Sequence, residues 1–435
     1  MSFSCRALMC AIATLWITAS RAQAPVDPTF ASNGWYTGGV PNGRAFTADM
    51  AIDQNGNIIL AGRIGVPPSF GPDSCYIAVT RLNPDGILDT TFAAEGVFSQ
   101  WVGWIDDVHL GSSPDGGVLV VYDTRGDQGD ASVALKLGAD GQLDPAFGPD
   151  GSGSTGALPT MNPINHLLVL PNGQFLLAGG TPYAYSGIRR YNADGSRDMG
   201  FGTDGEMNVY PPNDCRAFTT VPHRLPDGKF LVTGPGIHPL MESPVVNFVA
   251  RFTPDGSPDA GFADNGLSVF DCTEDPLEVT FTHSAVAPDG TIWLAGMGEE
   301  GAGHFRYAIA KVSPDGQLDT SFGNGTGYVL HANGGSFEEP VNDMPMSDFL
   351  LLPDGKFMIY STFLGYNGLY YQCELTRFNQ DGSLMQHSPT KGTCSFSTLT
   401  VGSVRRWRYK RMENSSLRAF GMIRARNKRV SIVCA

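Results

Sequence analysis

Two stretches decide how this chain folds: Arg81–Phe92 (RLNPDGILDTTF) and Lys311–Gly323 (KVSPDGQLDTSFG). They share one grammar. A cation stands five positions before a glycine, an aspartate three after it, and a phenylalanine three after that. The grammar recurs with Lys136, Gly141, Asp144 and Phe147, with Arg190, Gly195, Asp198 and Phe201, and with Arg251, Gly256, Asp259 and Phe262. Asp-Gly between apolar runs marks a tight turn, because glycine takes the positive φ that closes it. The aspartate then caps the turn, the cation pairs locally and the phenylalanine fills the core, so each copy reads as a latch. A calcium loop would need more oxygen ligands than the segment offers.

Working outward, these latch turns form a second series that interleaves with a first: Asn55-Gly56, Asp115-Gly116, Asn172-Gly173, Asp227-Gly228, Asp289-Gly290 and Asp354-Gly355. Both series step by 54 to 66 residues. Two registers with one period are the mark of a repeat architecture. Apolar runs follow these turns, such as Ile58–Ala61, Val118–Val121 and Phe175–Ala178. They do not alternate with polar residues, so each strand is expected to be buried on both faces, between neighbouring sheets. Each unit carries four strands, three short turns and one longer crossing, which is the order of radial four-stranded blades.

Six units are clear, and then the grammar lapses. Met385 stands where the aspartate belongs and Ser388 where the phenylalanine belongs. The tail still offers strand-like runs at Phe396–Val401, Val404–Met412, Leu417–Arg424 and Val430–Cys434. The first completes the sixth unit and the other three make a seventh without its outer strand. At the other end, Asp27-Pro28-Thr29-Phe30 is a spare latch followed by Gly34–Thr37, an orphan outer strand. The expected fold is an all-β, seven-bladed β-propeller of four-stranded blades, closed by the N-terminal strand pairing with the last blade. It forms a single domain over residues 23–435, with repeats over about 27–384 and a degenerate last blade over about 403–435.

These residues resemble the delta-60 repeat family. The resemblance covers about residues 27–384 and rests on the Pro-Asp-Gly turn, the apolar strand, and the cation-to-Phe-Gly run closest at Arg81–Phe92 and Lys311–Gly323. It implies a bacterial, largely exported, propeller-like β-structure without an assigned enzymatic activity, and it supplies no catalytic residues.

Met1–Ala22 reads as a secretory signal, with Arg6 ahead of the apolar run Ala7–Ala19 and small residues before the cut; cleavage after Ala24 is disfavoured by Pro25. Export is therefore expected, to a periplasmic, cell-surface or extracellular location. No other stretch approaches a membrane span, so no transmembrane segment is expected. Six cysteines then remain, and an oxidising compartment suggests disulfides. The pairs expected are Cys215–Cys272, Cys373–Cys394 and Cys75–Cys434.

With 29 Lys and Arg against 43 Asp and Glu, the net charge is −14, which argues against nucleic-acid binding. Residues 403–435 run the other way, with ten cations and only Glu413 as an acid. Arg405, Arg406, Arg408, Lys410 and Arg411 among them either match the blade to acidic neighbours or form a patch for polyanionic glycans or lipid head groups.

No Walker loop, HExxH, GxSxG or CxxC pair appears. One constellation has metal-ligand chemistry. Five residues before the first-series turns stand Asp49, His109, His166, His283 and Asp348, and in the fourth unit His223 lies two positions off that phase. Placed on innermost strands, imidazoles and carboxylates could converge on a transition metal at one mouth of the channel. Inner strands of large propellers are often polar because they line a water-filled channel, and these residues would then simply hydrogen-bond to water and neighbours. Two classes of function follow: an exported non-enzymatic binding or surface scaffold protein with a protein or glycan ligand, or a metal-dependent lyase, hydrolase or oxygenase using these histidines.

Overall fold

The computed structural model describes residues 29–32, 36, 44–65, 75–126, 129–158, 163–180, 187–212, 215–217, 221–237, 244–270, 278–299, 305–332, 346–364, 371–385, 393–398, 407–411, 417–425 and 428–434. These form seven antiparallel sheets, each a meander in chain order.

Sheet 1 contains β1 (Arg44–Ile52), β2 (Ile58–Gly65), β3 (Cys75–Leu82) and β4 (Val97–Gly103). Sheet 2 contains β5 (Val108–Ser112), β6 (Val118–Gly126), β7 (Gly129–Leu137) and β8 (Ser154–Leu158). Sheet 3 contains β9 (Ile164–Val169), β10 (Phe175–Gly179), β11 (Gly187–Tyr191) and β12 (Glu206–Asn208). In sheet 4 the first strand is split into β13 (Arg216–Ala217) and β14 (Val221–Arg224), which both pair with β15 (Phe230–Ile237), followed by β16 (Pro244–Phe252) and β17 (Leu267–Phe270). Sheet 5 contains β18 (Glu278–Val286), β19 (Ile292–Glu299), β20 (Phe305–Val312) and β21 (Tyr328–Ala332). Sheet 6 contains β22 (Met346–Leu351), β23 (Phe357–Leu364), β24 (Tyr371–Phe378) and β25 (Thr393–Thr398). Sheet 7 has three strands, β26 (Trp407–Arg411), β27 (Leu417–Ala425) and β28 (Lys428–Cys434). The four strands expected beyond Met385 are therefore present, at slightly shifted bounds. Among the described residues the only helical turn is Gly323–Gly325, and no helix is long and apolar enough to cross a membrane.

The first strands succeed one another in space, β1 beside β5, then β9, β14, β18, β22 and β26, and β26 in turn lies against β1. The core sits between sheets rather than within one. Ile59, Ala61, Ile77 and Val79 of sheet 1 pack with Val108, Leu110, Val118 and Val120 of sheet 2 in one buried cluster, and further clusters join sheets 2 and 3, 3 and 4, 4 and 5, and 5 and 6. The second strands are buried on both faces, as their unbroken apolar runs required: Ile58, Ile59, Leu60 and Ala61 are all at most 9% exposed.

The latch fixes each sheet to the next. Asp89 accepts the Thr91 backbone N–H at 3.0 Å with one oxygen and Arg81 Nε at 2.8 Å with the other. The same two bonds recur at Asp198, from Gly200 N and Arg190 Nε, and at Asp259, from Gly261 N and Arg251 Nε. The guanidinium then lies over the latch ring, 4.6 Å from Phe92, 4.4 Å from Phe201 and 4.5 Å from Phe262. Each ring presses against the Asp-Gly turn of the following sheet. A Cβ on Gly141 would lie 2.8 Å from Phe92, and one on Gly316 would lie 2.5 Å from Phe262. With φ near +80° as well, this glycine is required twice over.

Phe30 obeys the same rule. It is 2% exposed, it packs on Gly86 of sheet 1, and Ala31 N donates to Asp85 O as Ala93 N donates to Asp140 O. Residues 1–22 and Asp27 lie outside the described residues, as does Gly34–Thr37 except for Tyr36, which packs beside Phe30.

Candidate functional site

The six candidate ligands all fall on first strands. Asp49, His166, His283 and Asp348 each stand just after a break in register, where one extra residue is inserted. Such a bulge re-aims the side chains around it. His109 sits in regular pairing opposite Val121, and His223 lies opposite Leu231 beyond the gap between β13 and β14.

Where bonding partners are defined, these side chains reach their own strand or the next sheet. Asp49, 3% exposed, accepts Met50 N at 2.7 Å and Leu110 N of β5 at 2.8 Å. His109 Nε2 meets Ile164 O of β9 at 2.7 Å. His223 Nε2 meets Ser284 Oγ of β18 at 2.7 Å, and Ser284 Oγ also meets Thr233 Oγ1. His283 Nδ1 is 2.9 Å from Thr282 Oγ1, and Asp348 accepts Phe349 N at 2.9 Å. His166 is half-buried opposite Ala178. Among the described residues, no three of His, Cys, Asp and Glu gather into a group able to hold a metal ion.

Burial pushes the His223 imidazole down to about 4, so it is neutral at pH 7. Asp123, 1% exposed, is shifted the opposite way, because burial raises its carboxyl above the ordinary range against the hydrogen bonds it accepts. It takes Ser132 Oγ at 2.6 Å and Ile164 N at 2.9 Å. Both backbone polar groups of Ile164 are thus held by sheet 2, its N–H by Asp123 and its C=O by His109. Asn247 does the same work between sheets 4 and 5, donating to Val279 O at 2.9 Å and accepting Phe281 N at 3.0 Å. Tyr307 OH meets Ser361 Oγ between sheets 5 and 6.

Sequence reading did not single out Asp123, Asn247 or Tyr307. A signal existed for part of this set. Ser132, Asn247 and Tyr307 all stand four residues before the latch cation, each a polar group in an otherwise apolar strand. A polar side chain at a buried repeat phase must find a partner: for Asn247 and Tyr307 it lies on the next sheet, and for Ser132 it is Asp123, which itself reaches the next sheet.

For the cysteine pairs, Cys75 and Cys215 are buried. Cys272 lies outside the described residues, and only the backbone is described at Cys434, Cys373 and Cys394. Cys373 is opposite Phe396 and Cys394 opposite Leu375, so this pair is offset by two positions on neighbouring strands. The tail cations are likewise described by backbone alone.

The family described as "Domain of unknown function (DUF5122) beta-propeller" matches residues 171–201, 225–262 and 287–322. Each match opens at a first-series turn and closes on a latch phenylalanine, Phe201, Phe262 or Phe322. No curated protein matches this sequence. Among solved structures, the polysaccharide lyase Uly1 is 11% identical with a TM-score of 0.47, covering 96% of this chain and 94% of that one. The β-propeller domain of the Trilobed protease from Pyrococcus furiosus, described as having an open velcro topology, is 10% identical with a TM-score of 0.43, covering 89% of this chain and 92% of its own. Likenesses of this size say nothing of activity. Together with the repeat grammar and the succession of antiparallel sheets, the family match supports a β-propeller repeat protein; it does not single out the delta-60 family.

Proposed function

We propose that this chain is an exported, non-enzymatic binding or scaffold protein on a seven-bladed propeller, whose first-strand histidines and aspartates join blade to blade. The observation that carries the reading is the destination of these side chains. Asp49, His109 and His223 are hydrogen-bonded to the neighbouring sheet, with no shared centre among the six candidates. A buried polar group satisfied in this way rigidifies the seam, and removing its partner leaves a costly orphan.

Closure of the ring belongs to the same proposal. Each latch phenylalanine packs on the turn of the sheet that follows it, and Phe30 packs on the turn of sheet 1. The latch ending at Phe30 therefore belongs to the blade before sheet 1, which is sheet 7. Residues 34–37 would then be the missing outer strand beside β28. Deleting Asp27–Thr37 should lower the melting temperature strongly, and melting within a degree or two of the full chain would refute the closure.

Elemental analysis of the purified mature protein tests the functional reading. The scaffold reading expects no stoichiometric transition metal and melting unaffected by a chelator. A stoichiometric metal lost together with His109→Ala or His283→Ala would favour a metal-dependent enzyme instead. N-terminal sequencing of protein recovered from outside the cytoplasm should begin at Gln23 if the first 22 residues are the signal.

A further inference from the structure

Among the described residues, the seam between sheets 5 and 6 lacks two ties at its latch corner, of which each of the four seams before it keeps at least one. In three latches the cation is arginine, and its second guanidinium arm crosses to the next sheet. Arg81 Nη1 reaches Ala139 O at 2.7 Å, Arg190 Nη1 reaches Pro254 O at 2.6 Å, and Arg251 Nη1 reaches Pro314 O at 3.1 Å. Each acceptor stands two residues before the turn glycine. In sheet 2 the cation is Lys136, held by Asp115 and Asp144, and in sheet 5 it is Lys311, whose single ammonium is engaged with Asp319 at 2.8 Å. The corresponding carbonyl, that of Gln380, lacks its guanidinium.

A second tie is missing there too. Ala93 N, Gly148 N and Gly202 N, each following a latch phenylalanine, donate to Asp140, Asp194 and Asp255 O at 2.7, 2.8 and 2.6 Å. Among the described residues no such bond runs from Ala263 to Asp315 or from Gly323 to Asp381, so only the seam between sheets 5 and 6 lacks both ties. The segment after Phe322 is one residue longer than that after Phe262, and it turns through Gly323–Gly325 with Asn324 at φ 59°. What joins the sheets at this corner is the His331 imidazole on Gly382 O at 2.6 Å and the Phe322 ring against Gly382. An open cleft of about 1120 Å³ occupies the space, with Lys311, Asn324, His331, Asn379, Gln380 and Asp381 on its walls.

The chemistry of these walls selects a ligand class. Their charges cancel: Arg306 and Lys311 are cationic, Asp381 and the Asp319 that pairs with Lys311 at 2.8 Å are anionic, and Asp381 also accepts the Ser383 N–H and hydroxyl at 2.9 and 2.6 Å. An anionic polymer would meet no surplus of positive charge, on a chain whose net charge is −14. Asn324, Asn379 and Gln380 instead present amides that both donate and accept, which suits hydroxyl groups that do the same. Phe322 and Tyr328, 6% and 8% exposed, form an apolar floor beneath them. Single small molecules occupy pockets of roughly 300–1,000 Å³, so a cleft of this size and openness suits a chain of several units.

We infer that the cleft between sheets 5 and 6 binds a neutral oligosaccharide. This deepens the binding-protein reading above and rests on it. The test is calorimetry and ligand-observed NMR on the full mature chain. The probes are cellohexaose, xylohexaose, mannohexaose and laminarihexaose, with hexagalacturonate as the charged control. Lys311→Arg is the sealing variant, since an arginine there can reach Gln380 O as Arg251 reaches Pro314 O. Gln380→Ala removes one wall. At least one neutral hexaose should bind, and both variants should weaken it by roughly tenfold or more while melting no lower than the parent by more than a degree or two. Preference for hexagalacturonate would overturn the neutral class. Neutral binding untouched by either variant would place the sugar elsewhere, overturning the cleft while leaving the binding-protein reading intact. Silence from every hexaose at millimolar concentration would overturn the cleft as well.

Discussion

Sheets 4 and 6 carry the same cation at the same phase and part company eight residues later. Arg251 in sheet 4 meets Asp259 at 2.6 Å, lies 4.5 Å over Phe262 and reaches across to Pro314 O. Arg377 in sheet 6 finds Met385 in the aspartate's place. The backbone still follows the latch path, with Met385 N donating to Arg377 O at 3.0 Å as Asp259 N donates to Arg251 O at 2.9 Å. The guanidinium does not. Its Nε is buried with no partner, and its Nη2 turns back to Asp354 at 3.4 Å, a carboxylate already held by Lys356 at 2.8 Å. The turn and the strand pairing therefore do not depend on the acid, whereas the orientation of the cation, and with it the bridge to the next sheet, does.

The largest effect is expected from the ring that both charges enclose. Phe262 is fully buried between Arg251 and the Gly316 turn. Phe262→Ala should cost about 3–5 kcal/mol, because the fixed turn on one side and the ion pair on the other leave little room to collapse. Chemical denaturation would measure it, and a loss below about 1 kcal/mol would mean the latch is peripheral. Asp259→Ala should rank next, at about 1–3 kcal/mol, since it gives Arg251 the orphaned Nε that Arg377 has and also removes the partner of Lys229. In a structure of that variant, Arg251 Nη1 should no longer hold Pro314 O.

Most of the latch was legible in the sequence, and the reason is local. A turn glycine, a capping aspartate and a paired cation all act within a dozen residues, so spacing alone reports them. The same holds for β26 to β28, where alternating aromatics at Trp407 and Tyr409 and the apolar residues of β27 and β28 survive the loss of the Asp-Gly signature. What escaped was everything acting between repeats. The second arm of Arg251, the hold of Asp123 on Ile164 and that of Asn247 on β18 join residues 32 to 63 positions apart. Their partners are largely backbone groups, which have no identity in a sequence. The histidines show the same divide: their shared phase was visible, but the Ile164 carbonyl that His109 meets and the Ser284 hydroxyl that His223 meets were not.

Acid separates the seam contacts from the latch. His223 falls from the ordinary 6.5 to about 4 on burial, so the folded state takes up its proton later than the unfolded chain. Its contribution is complete above pH 6.5 and is lost as pH falls toward 4. Hydrogen bonds from Lys311 and Ser321 hold Asp319 down at about 2, and that from Lys229, the largest influence, lowers Asp259. A depressed carboxylate is stabilising above its unfolded value and fails as pH falls through the folded one, here from 3.8 toward 2 for Asp319. Stability plotted against pH should therefore fall in two stages. His223→Asn, which can still bond Ser284, should flatten the first and leave the second unchanged. A single decline below pH 4 in both proteins would show that His223 is not buried as a neutral base.

The smallest effect expected is a gain. Met385→Asp would place a carboxylate eight residues after Arg377, on a backbone already bonded as in the complete latches. The new group would accept Nε of Arg377, removing an orphan donor, and would cap the N–H two residues on, as Asp259 caps Gly261. Against this stand the desolvation of the new charge and the absence of a phenylalanine, since Ser388 follows where Phe262 would. The net gain should be only about 1 kcal/mol, or on the order of 1–2 °C in melting temperature for a chain of this length. A double-mutant cycle gives the measurement its meaning. If the gain comes from the restored pair, Met385→Asp in an Arg377→Ala background should stabilise nothing, whereas an equal gain in that background would mean the aspartate acts through the turn alone and the arginine is incidental.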